Sequence, residues 1–316
     1  MPGMTSRREL ESWITLSRAP AVLVLYPLQC GFMSTLAQTR KARPADEWTS
    51  SRVYRPLAQL LVGPAARARL KPTSVVLVHT GLGLTVAWQL RYGRGAVASR
   101  LSPALLIQLK TVLDNLDGQL ARATGQTSET GRYLDTEMDV LVNAALLCAV
   151  LGPLGGAGAT LLLSLIMTVE YLWERDHRLA RGEEFRPAAA LSGDHPALLA
   201  ALNGFYSAYF VPQEKLLGRL FESRLRATLG HAPTPADLLA YTPRLLNAVT
   251  ANLGLSTQLL ALGACILAGR PRVYAASLPV QAGVLLALQL WREAEVKRNR
   301  RTQSPDISQP GAPRPR

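Results

Sequence analysis

The sequence is poor in charged residues and in aromatic residues, and both shortages argue against a soluble domain. Charged residues make up 18% of the 316-residue chain, whereas a soluble domain typically carries about 25%. Aromatic residues make up only 6%, although 48% of the chain is hydrophobic. The apolar content therefore comes chiefly from Leu, Ala and Val, gathered into long runs. Such runs are typical of helices that face lipid.

The sequence also has few cysteines and histidines. Cys30, Cys148 and Cys265 lie far apart in apolar surroundings, with no CxxC spacing. This argues against a disulfide framework or a zinc site, and we interpret all three as buried small hydrophobic residues. The four histidines form no ligand pattern, with the cysteines or otherwise: His79, His177, His195 and His231.

Six apolar stretches approach the roughly 20 residues that a membrane-spanning helix needs. They are 73–90, 96–116, 133–154, 158–173, 245–268 and 273–291. With both termini in the cytoplasm, the large majority of the 35 Lys and Arg residues lie in cytoplasmic segments, as the positive-inside rule requires. The sequence therefore predicts an all-α integral membrane protein, a bundle of six transmembrane helices with cytoplasmic interfacial helices. The net charge of +13 is then explained without a nucleic-acid partner.

Two segments precede the first predicted span. Residues 1–53 form an N-terminal extension, whose apolar run 19–37 fits a re-entrant or interfacial segment better than a seventh span. Residues 54–72 place three leucines on one helical face, namely Leu57, Leu60 and Leu61. This spacing predicts a juxtamembrane amphipathic helix along the inner leaflet. A proline-containing connecting loop is the alternative.

Two further segments lie outside the expected bundle. Residues 174–244 interrupt the six-span region 73–291 as a cytoplasmic insertion, with an aromatic cluster at Phe205, Tyr206, Tyr209 and Phe210. Such rings favour the membrane interface, so we expect the insertion to form an interfacial helical cap that influences which substrate reaches the functional site. A surface or dimer-forming elaboration is the other interpretation, which leaves a homodimer open. The basic, proline-rich tail 292–316 is expected to be disordered.

The residues that carry chemistry lie in the segment DNLDGQLARATGQTSETGRYLDTEMD, residues 114–139. Helical spacing puts Asp114, Asp117 and Gly118 on one face, and Asp135 and Asp139 on one face of the next helix. Ionisable residues at a span are costly and usually functional. Carboxylates select hard cations, and paired divalent ions commonly serve displacement at phosphorus. The pattern therefore predicts two Mg²⁺ ions, with Mn²⁺ as the alternative, held by these four aspartates.

This segment resembles the signature of the CDP-alcohol phosphotransferase family, also called CDP-alcohol phosphatidyltransferase, class I. The signature reads DxxDGxxAR and, after a short spacer, GxxxDxxxD, and every fixed position matches. The resemblance implies that Asp114, Asp117 and Asp135 hold one metal and that Asp114, Asp135 and Asp139 hold the other. Asp139 would also be the general base. The implied contacts to the CDP moiety are Gly118, Arg122 and Ser128, with Ala121 and Gly131 leaving it space.

The resemblance implies phospholipid synthesis at the cytoplasmic face of a membrane. A phosphatidyl group would pass from CDP-diacylglycerol to the hydroxyl of an alcohol acceptor, with release of CMP. Lys110, Arg175 and Arg178 are candidate acceptor contacts. Each has a simpler interpretation: Lys110 pairs with Asp114 or snorkels, and the two arginines belong to the positive-inside pattern.

Two alternatives stay open at this point. One is transfer from a soluble CDP-alcohol to a lipid acceptor, which the signature does not separate from the first reaction. The other is a divalent-cation transporter, whose carboxylates would also bind metal. A transporter leaves the spacing of Gly118, Ala121 and Arg122 unexplained.

Overall fold

The computed structural model describes residues 43–93, 97–183, 185 and 196–303. These residues form helices and contain no strand, which confirms the expected all-α class. The apolar run 19–37 and the last part of the predicted tail lie outside the described residues. After a π-helical turn at Ser50–Tyr54, the helices are α1 (Arg55–Arg67), α2 (Pro72–Tyr92), α3 (Val97–Thr124), α4 (Glu129–Leu151), α5 (Pro153–Leu179), α6 (Pro196–Leu229), α7 (Pro235–Tyr241), α8 (Arg244–Ala251), α9 (Leu255–Leu267) and α10 (Pro271–Gln303).

The expected count of six spans is not confirmed. Four helical segments of the described chain are long and apolar enough to cross a membrane: Pro72–Tyr92, Pro153–Leu179, Pro235–Leu267 and Pro271–Arg298. The second and third expected spans correspond to α3 and α4, which are long enough. They fall outside this set because the charged residues of the signature interrupt their apolar runs. A location in the membrane is inferred from the four apolar segments.

The juxtamembrane segment is helical over Arg55–Arg67 and packs against α3. Ala58, Val62 and Ala65 are buried beside Leu116 and Leu120 of that helix. The opposite face leaves Leu57, Leu60 and Leu61 exposed. Exposed leucines on one side of a helix are what a lipid-facing surface requires.

The stretch 245–268, expected as one continuous helix, is divided into α8 and α9 at residues 252–254. Glu47 reaches this break, and its Oε1 accepts a hydrogen bond of 2.5 Å from the backbone N of Thr257 in the first turn of α9. A Cβ at position 254 would lie 2.9 Å from the Glu47 carboxyl carbon, so only glycine fits there. A carboxylate is favourable at a helix N-terminus because free N–H groups point toward it. The break between α8 and α9 therefore exposes the N-terminus of α9 to the carboxylate of Glu47, which lies far away in the sequence.

The prediction of a disordered tail is wrong for residues 292–303, because α10 continues to Gln303. Arg292 is fully buried. Its guanidinium carbon lies 4.4 Å from the ring centre of Trp173, 4.9 Å from that of Phe221 and 3.9 Å from that of Tyr241. These rings belong to α5, α6 and α7, so the Arg292 side chain packs α10 against three other helices. The polar composition of the tail hides this role, since it depends on distant partners.

Replacing Arg292 with Met is expected to lower the thermal stability of the detergent-solubilised protein. Each desolvated cation–π contact contributes about 2 kcal/mol, and Met keeps the volume without the charge. Thermal unfolding followed by tryptophan fluorescence would measure the change. Arg298→Met is the matched control, since Arg298 is exposed on the same helix and its ion pair with Glu295 is a surface pair. Equal melting temperatures for the two variants would contradict the proposed role.

The insertion contributes a long helix, α6, that packs against α4, α5 and α10. Near its start the Tyr206 ring lies 5.1 Å from the Tyr133 ring of α4. Midway, Gln213 accepts a hydrogen bond of 3.0 Å from Ser164 of α5. Farther along, Arg224 pairs with Glu293 of α10. The helix thus lies across the bundle, although its predicted role in acceptor choice stays a prediction.

Candidate metal centre and the adjoining cavity

The signature residues lie on a tight helical hairpin made by α3 and α4. Gly125 ends α3 in a left-handed conformation, with φ of 67°, which glycine adopts without strain. Ser128 begins α4 as its N-cap, where its Oγ accepts a hydrogen bond of 3.0 Å from the backbone N of Gly131. The short connection turns the acidic faces of the two helices toward each other.

Lys110 bridges the acidic face of α3 and the acidic face of α4. Its side chain is buried, and its Nζ lies 3.1 Å from Asp114 Oδ1 on α3 and 2.5 Å from Asp139 Oδ1 on α4. Since a buried ammonium needs counter-charges, this pairing satisfies it. The sequence left open whether Lys110 contacts the acceptor or pairs with Asp114. The structure shows that it pairs with Asp114 and also with Asp139.

His79 of α2 faces the same aspartates from the other side. The ring is fully buried, and its Nε2 lies 3.1 Å from Asp117 Oδ2 and 3.8 Å from oxygens of both Asp114 and Asp135. The structure therefore brings all four predicted aspartates together around one lysine and one histidine. The expectation that no histidine takes part in a ligand pattern is wrong for His79. A signal was present, because His79 is the sole ionisable residue within 73–90.

Close packing of α2 on α4 holds the histidine in place. A Cβ at position 83, one turn after His79, would lie 2.5 Å from Cγ1 of Val142. Glycine at this position lets the two helix backbones approach each other. This contact lies one turn beyond Asp139, so it fixes the distance from α2 to the acidic face of α4.

The cluster fits a divalent metal ion. His79, Asp114 and Asp135 each offer one ligand atom, and these atoms lie within 4.8 Å of one another. Asp135 Oδ1 is buried and accepts no hydrogen bond within the described residues. A buried carboxylate oxygen without a donor is costly, and a cation would satisfy it. Carboxylate oxygens suit Mg²⁺ or Mn²⁺, and imidazole is compatible with the latter.

Replacing His79 with Gln is expected to weaken divalent-metal binding by about 10–100-fold, the usual loss when a group that orients a metal ligand is removed. The reason is that Asp117 loses its neighbour at 3.1 Å. Titration of the purified protein with Mn²⁺, followed by electron paramagnetic resonance of the free ion, would measure affinity directly. His231→Gln is the control, since His231 is exposed outside the bundle. Equal Mn²⁺ affinities in both variants would show that His79 is only a packing residue.

The residues predicted to contact the CDP moiety lie at the loop end of the hairpin. The Arg122 guanidinium folds over Gly118, where a Cβ would lie 3.2 Å from Nη1. Gly131 begins α4 beside the Ser128 hydroxyl. Ser128 therefore has a structural role as N-cap, in addition to its predicted contact with CDP. Ala121 lies on α3 between Gly118 and Arg122.

A cavity of about 340 Å³ adjoins the acidic cluster, and Asp114, Asp135 and Asp139 form part of its wall. The rest of the wall includes residues that the sequence did not single out: Arg43, Glu47, Arg55, Asn143, Thr160 and Ser164. Phe210, from the predicted aromatic cluster, also lines it. Of the predicted acceptor contacts, Arg175 pairs with Asp176 and Arg178 with Glu174, and neither arginine lines this cavity.

The described part of the chain is all-helical, with apolar segments of membrane-spanning length and a carboxylate cluster whose geometry fits a divalent cation. Residues 72–181, about a third of the chain, match the model of the CDP-alcohol phosphatidyltransferase family. The matched segment runs from the start of α2 to just beyond α5, and it contains the whole acidic cluster. The match confirms the recognition made from the signature, and the matched family is one of phosphotransferases. No curated protein matches the chain.

Proposed function

We propose that the protein transfers the phosphatidyl group of CDP-diacylglycerol to the hydroxyl of an alcohol acceptor and releases CMP. The observation that carries this proposal is the convergence of Asp114, Asp117, Asp135 and Asp139 within the family-matching segment, around His79 and Lys110. A carboxylate centre of this density suits displacement at phosphorus.

The four aspartates would hold two Mg²⁺ ions. Asp114 and Asp135 would contact both ions, Asp117 the first and Asp139 the second. When bound, the ions supply charge stabilisation to the pyrophosphate during displacement. His79 holds Asp117 through a contact of 3.1 Å, and Lys110 holds Asp114 and Asp139. These two residues keep the ligand oxygens in position.

Asp139 would act as the general base. Lys110 contacts Asp139 through Oδ1, which leaves the second carboxylate oxygen to accept the proton of the acceptor hydroxyl. The nearby ammonium offers a counter-charge to the anionic form that a base requires. As the proton moves to Asp139, the acceptor oxygen bonds to the phosphorus that bears the lipid. The bond from that phosphorus to the bridging oxygen breaks, and CMP leaves with both electrons of that bond.

The loop end of the hairpin would bind the CDP moiety. Arg122 offers a planar fork that suits phosphate oxygens, and it already lies over Gly118. Ser128 Oγ accepts from Gly131, so its hydroxyl hydrogen is left to donate to the nucleotide. The small residues Gly118, Ala121 and Gly131 keep this end of the hairpin open.

The proposal includes a membrane orientation. Basic residues concentrate in the segments beside the loop end of the hairpin, and the positive-inside rule then places that end in the cytoplasm. Both termini would be cytoplasmic. The diacyl part of the donor would enter from the inner leaflet, while its cytidine stays in water.

The test is CMP release by the purified protein from CDP-diacylglycerol with Mg²⁺ and a panel of alcohols, with the phospholipid product identified by mass spectrometry. We expect phosphatidyl transfer that stops when Mg²⁺ is chelated. In parallel, CMP with Mg²⁺ should raise the melting temperature, because a ligand that binds only the folded state stabilises it. A divalent-cation transporter would ignore the nucleotide. Turnover of a soluble CDP-alcohol on a lipid acceptor, and none of CDP-diacylglycerol, would reverse the assignment of donor and acceptor.

A further inference from the structure

The cavity borders the acidic cluster, and the part of its wall on α4 leads away from the residues predicted to bind CDP. On α4 its wall runs from Asp135 through Asp139 to Asn143, which leads away from the loop end of the hairpin. The wall includes none of the predicted CDP contacts, Gly118, Ala121, Arg122, Ser128 and Gly131. In-line displacement requires the attacking hydroxyl to approach phosphorus opposite the leaving CMP. On the proposed function, this cavity is therefore the place of the acceptor.

The two arginines in the wall are already paired. Arg43 Nη1 lies 3.1 Å from Glu170 Oε1, and its Nε lies 3.5 Å from Glu174 Oε2. Arg55 Nη1 lies 2.7 Å from Asp46 Oδ1. A phosphate bound here would have to displace these carboxylates or lie beside them. Like charges brought together away from water repel strongly, so the wall is unfavourable for a phosphorylated acceptor.

The wall is equally unsuited to an ammonium group. Among the described residues, the carboxylates of the wall outside the metal cluster are Glu47 and Glu170, and Glu170 is paired with Arg43. Glu47 accepts hydrogen bonds from Thr257 N, at 2.5 Å, and from Thr49 Oγ1, at 3.3 Å. Burial raises the pKa of the Glu47 carboxyl against the opposing effect of these hydrogen bonds and of Arg43. Neither carboxylate is left as a counter-charge for a cationic acceptor.

The wall offers neutral hydrogen-bonding groups. Asn143 lies one helical turn beyond Asp139, and its side-chain amide makes no hydrogen bond with any described residue, so both donor and acceptor are available. The hydroxyls of Thr160 and Ser164 donate to Gly156 O and Gln213 Oε1. Their oxygens still have lone pairs that can accept from a ligand. Such a lining matches the hydroxyl groups of a polyol.

We propose that the acceptor is an uncharged alcohol with at least two hydroxyl groups. The reacting hydroxyl meets Asp139, and a second hydroxyl binds the Asn143 amide. The charged residues that the structure describes in the wall, outside the metal cluster, are paired or hydrogen-bonded, and this pairing disfavours a charged acceptor. This inference rests on the proposed function and names the substrate class of the same site.

The test compares matched acceptors in the transfer reaction with CDP-diacylglycerol and Mg²⁺. The uncharged probes are glycerol and inositol, the phosphorylated probes are glycerol 3-phosphate and inositol phosphate, and the amine probes are serine and ethanolamine. We expect kcat/KM to be at least about tenfold higher for an uncharged probe, a difference of about 1.4 kcal/mol. A preference of the wild-type enzyme for a phosphorylated or an amine acceptor would overturn the inference, as would failure of every uncharged probe.

Two variants test the origin of the preference. Glu170→Gln removes one counter-charge of Arg43, so activity with glycerol 3-phosphate should rise relative to activity with glycerol.

Asn143→Ala should raise the KM of the uncharged acceptor more than it lowers kcat, because Asn143 binds the alcohol without taking its proton. Glu222→Gln, at an exposed ion pair on α6, is the matched control and should leave the preference unchanged. If Glu170→Gln leaves the ratio of the two acceptors at the wild-type value, charge cancellation is not its cause.

These outcomes are separate from failure of the proposed function. If CDP-diacylglycerol with Mg²⁺ neither stabilises the protein nor yields CMP with any acceptor, the function itself is wrong. If CMP and phospholipid form but only phosphorylated or amine acceptors serve, the function stands and the inference about the acceptor falls.

Discussion

The Asp139→Asn enzyme should release CMP at least about 100-fold more slowly than wild type, the lower end of the usual contribution of a general base. Asn keeps the shape of the side chain but cannot accept the proton of the acceptor hydroxyl. Lys110 retains Asp114 as a counter-charge at 3.1 Å, so the variant should fold. Mg²⁺-dependent binding of CDP should stay largely intact, because three aspartates still face the metals. Initial rates of CMP release and nucleotide-dependent melting shifts would separate the two effects.

Asp176→Asn is the matched control for this experiment. Asp176 pairs with Arg175 on α5 and does not line the cavity, so the same chemical change there should leave the rate near wild type. Near-normal CMP release by a folded Asp139→Asn enzyme would refute its assignment as the base.

Asp114→Ala should damage binding more than Asp139→Asn does. Asp114 lies 3.1 Å from Lys110 and 3.8 Å from His79, in the middle of the cluster, and it is proposed to contact both ions. Removing Asp114 leaves three carboxylates to hold two divalent ions. It also leaves Lys110 with Asp139 as its remaining counter-charge in the cluster. We expect the Mg²⁺-dependent affinity for CMP to fall at least about tenfold, or about 1.4 kcal/mol.

The affinity can be measured as the nucleotide-dependent rise in melting temperature over a series of CMP and Mg²⁺ concentrations. Asp176→Ala serves as the control for loss of a carboxylate on a neighbouring helix. Wild-type affinity in Asp114→Ala would mean that this residue does not bridge the two metals.

The local part of the site could be predicted from the sequence. Asp114, Asp117, Asp135 and Asp139 lie on two consecutive helices joined by a short loop, and helical periodicity alone puts each pair on one face. The neighbouring turn residues, Gly125 and Ser128, also act through interactions close in sequence. The all-α class followed from the apolar runs in the same way.

The parts that could not be predicted depend on contacts between distant residues. His79 reaches the aspartates only because α2 packs closely on α4, and Gly83 gives no sign of its partner Val142. The break after α8 exists because Glu47 arrives there from the N-terminal side. Arg292 was assigned to a disordered tail because its three aromatic neighbours lie on other helices.

The two sides of the site also differ in when they can form. The carboxylate hairpin is complete once α4 has been synthesised, whereas the cavity wall needs Glu47 to meet Thr257 at the start of α9. A nascent chain that has emerged only through α5 would already hold the aspartates and Asn143, but it would lack the part of the cavity wall that Gly254, Leu255 and Ser256 form. Because Glu47 contacts Thr257 at the start of α9, the cavity wall is complete only after the C-terminal helices have been synthesised.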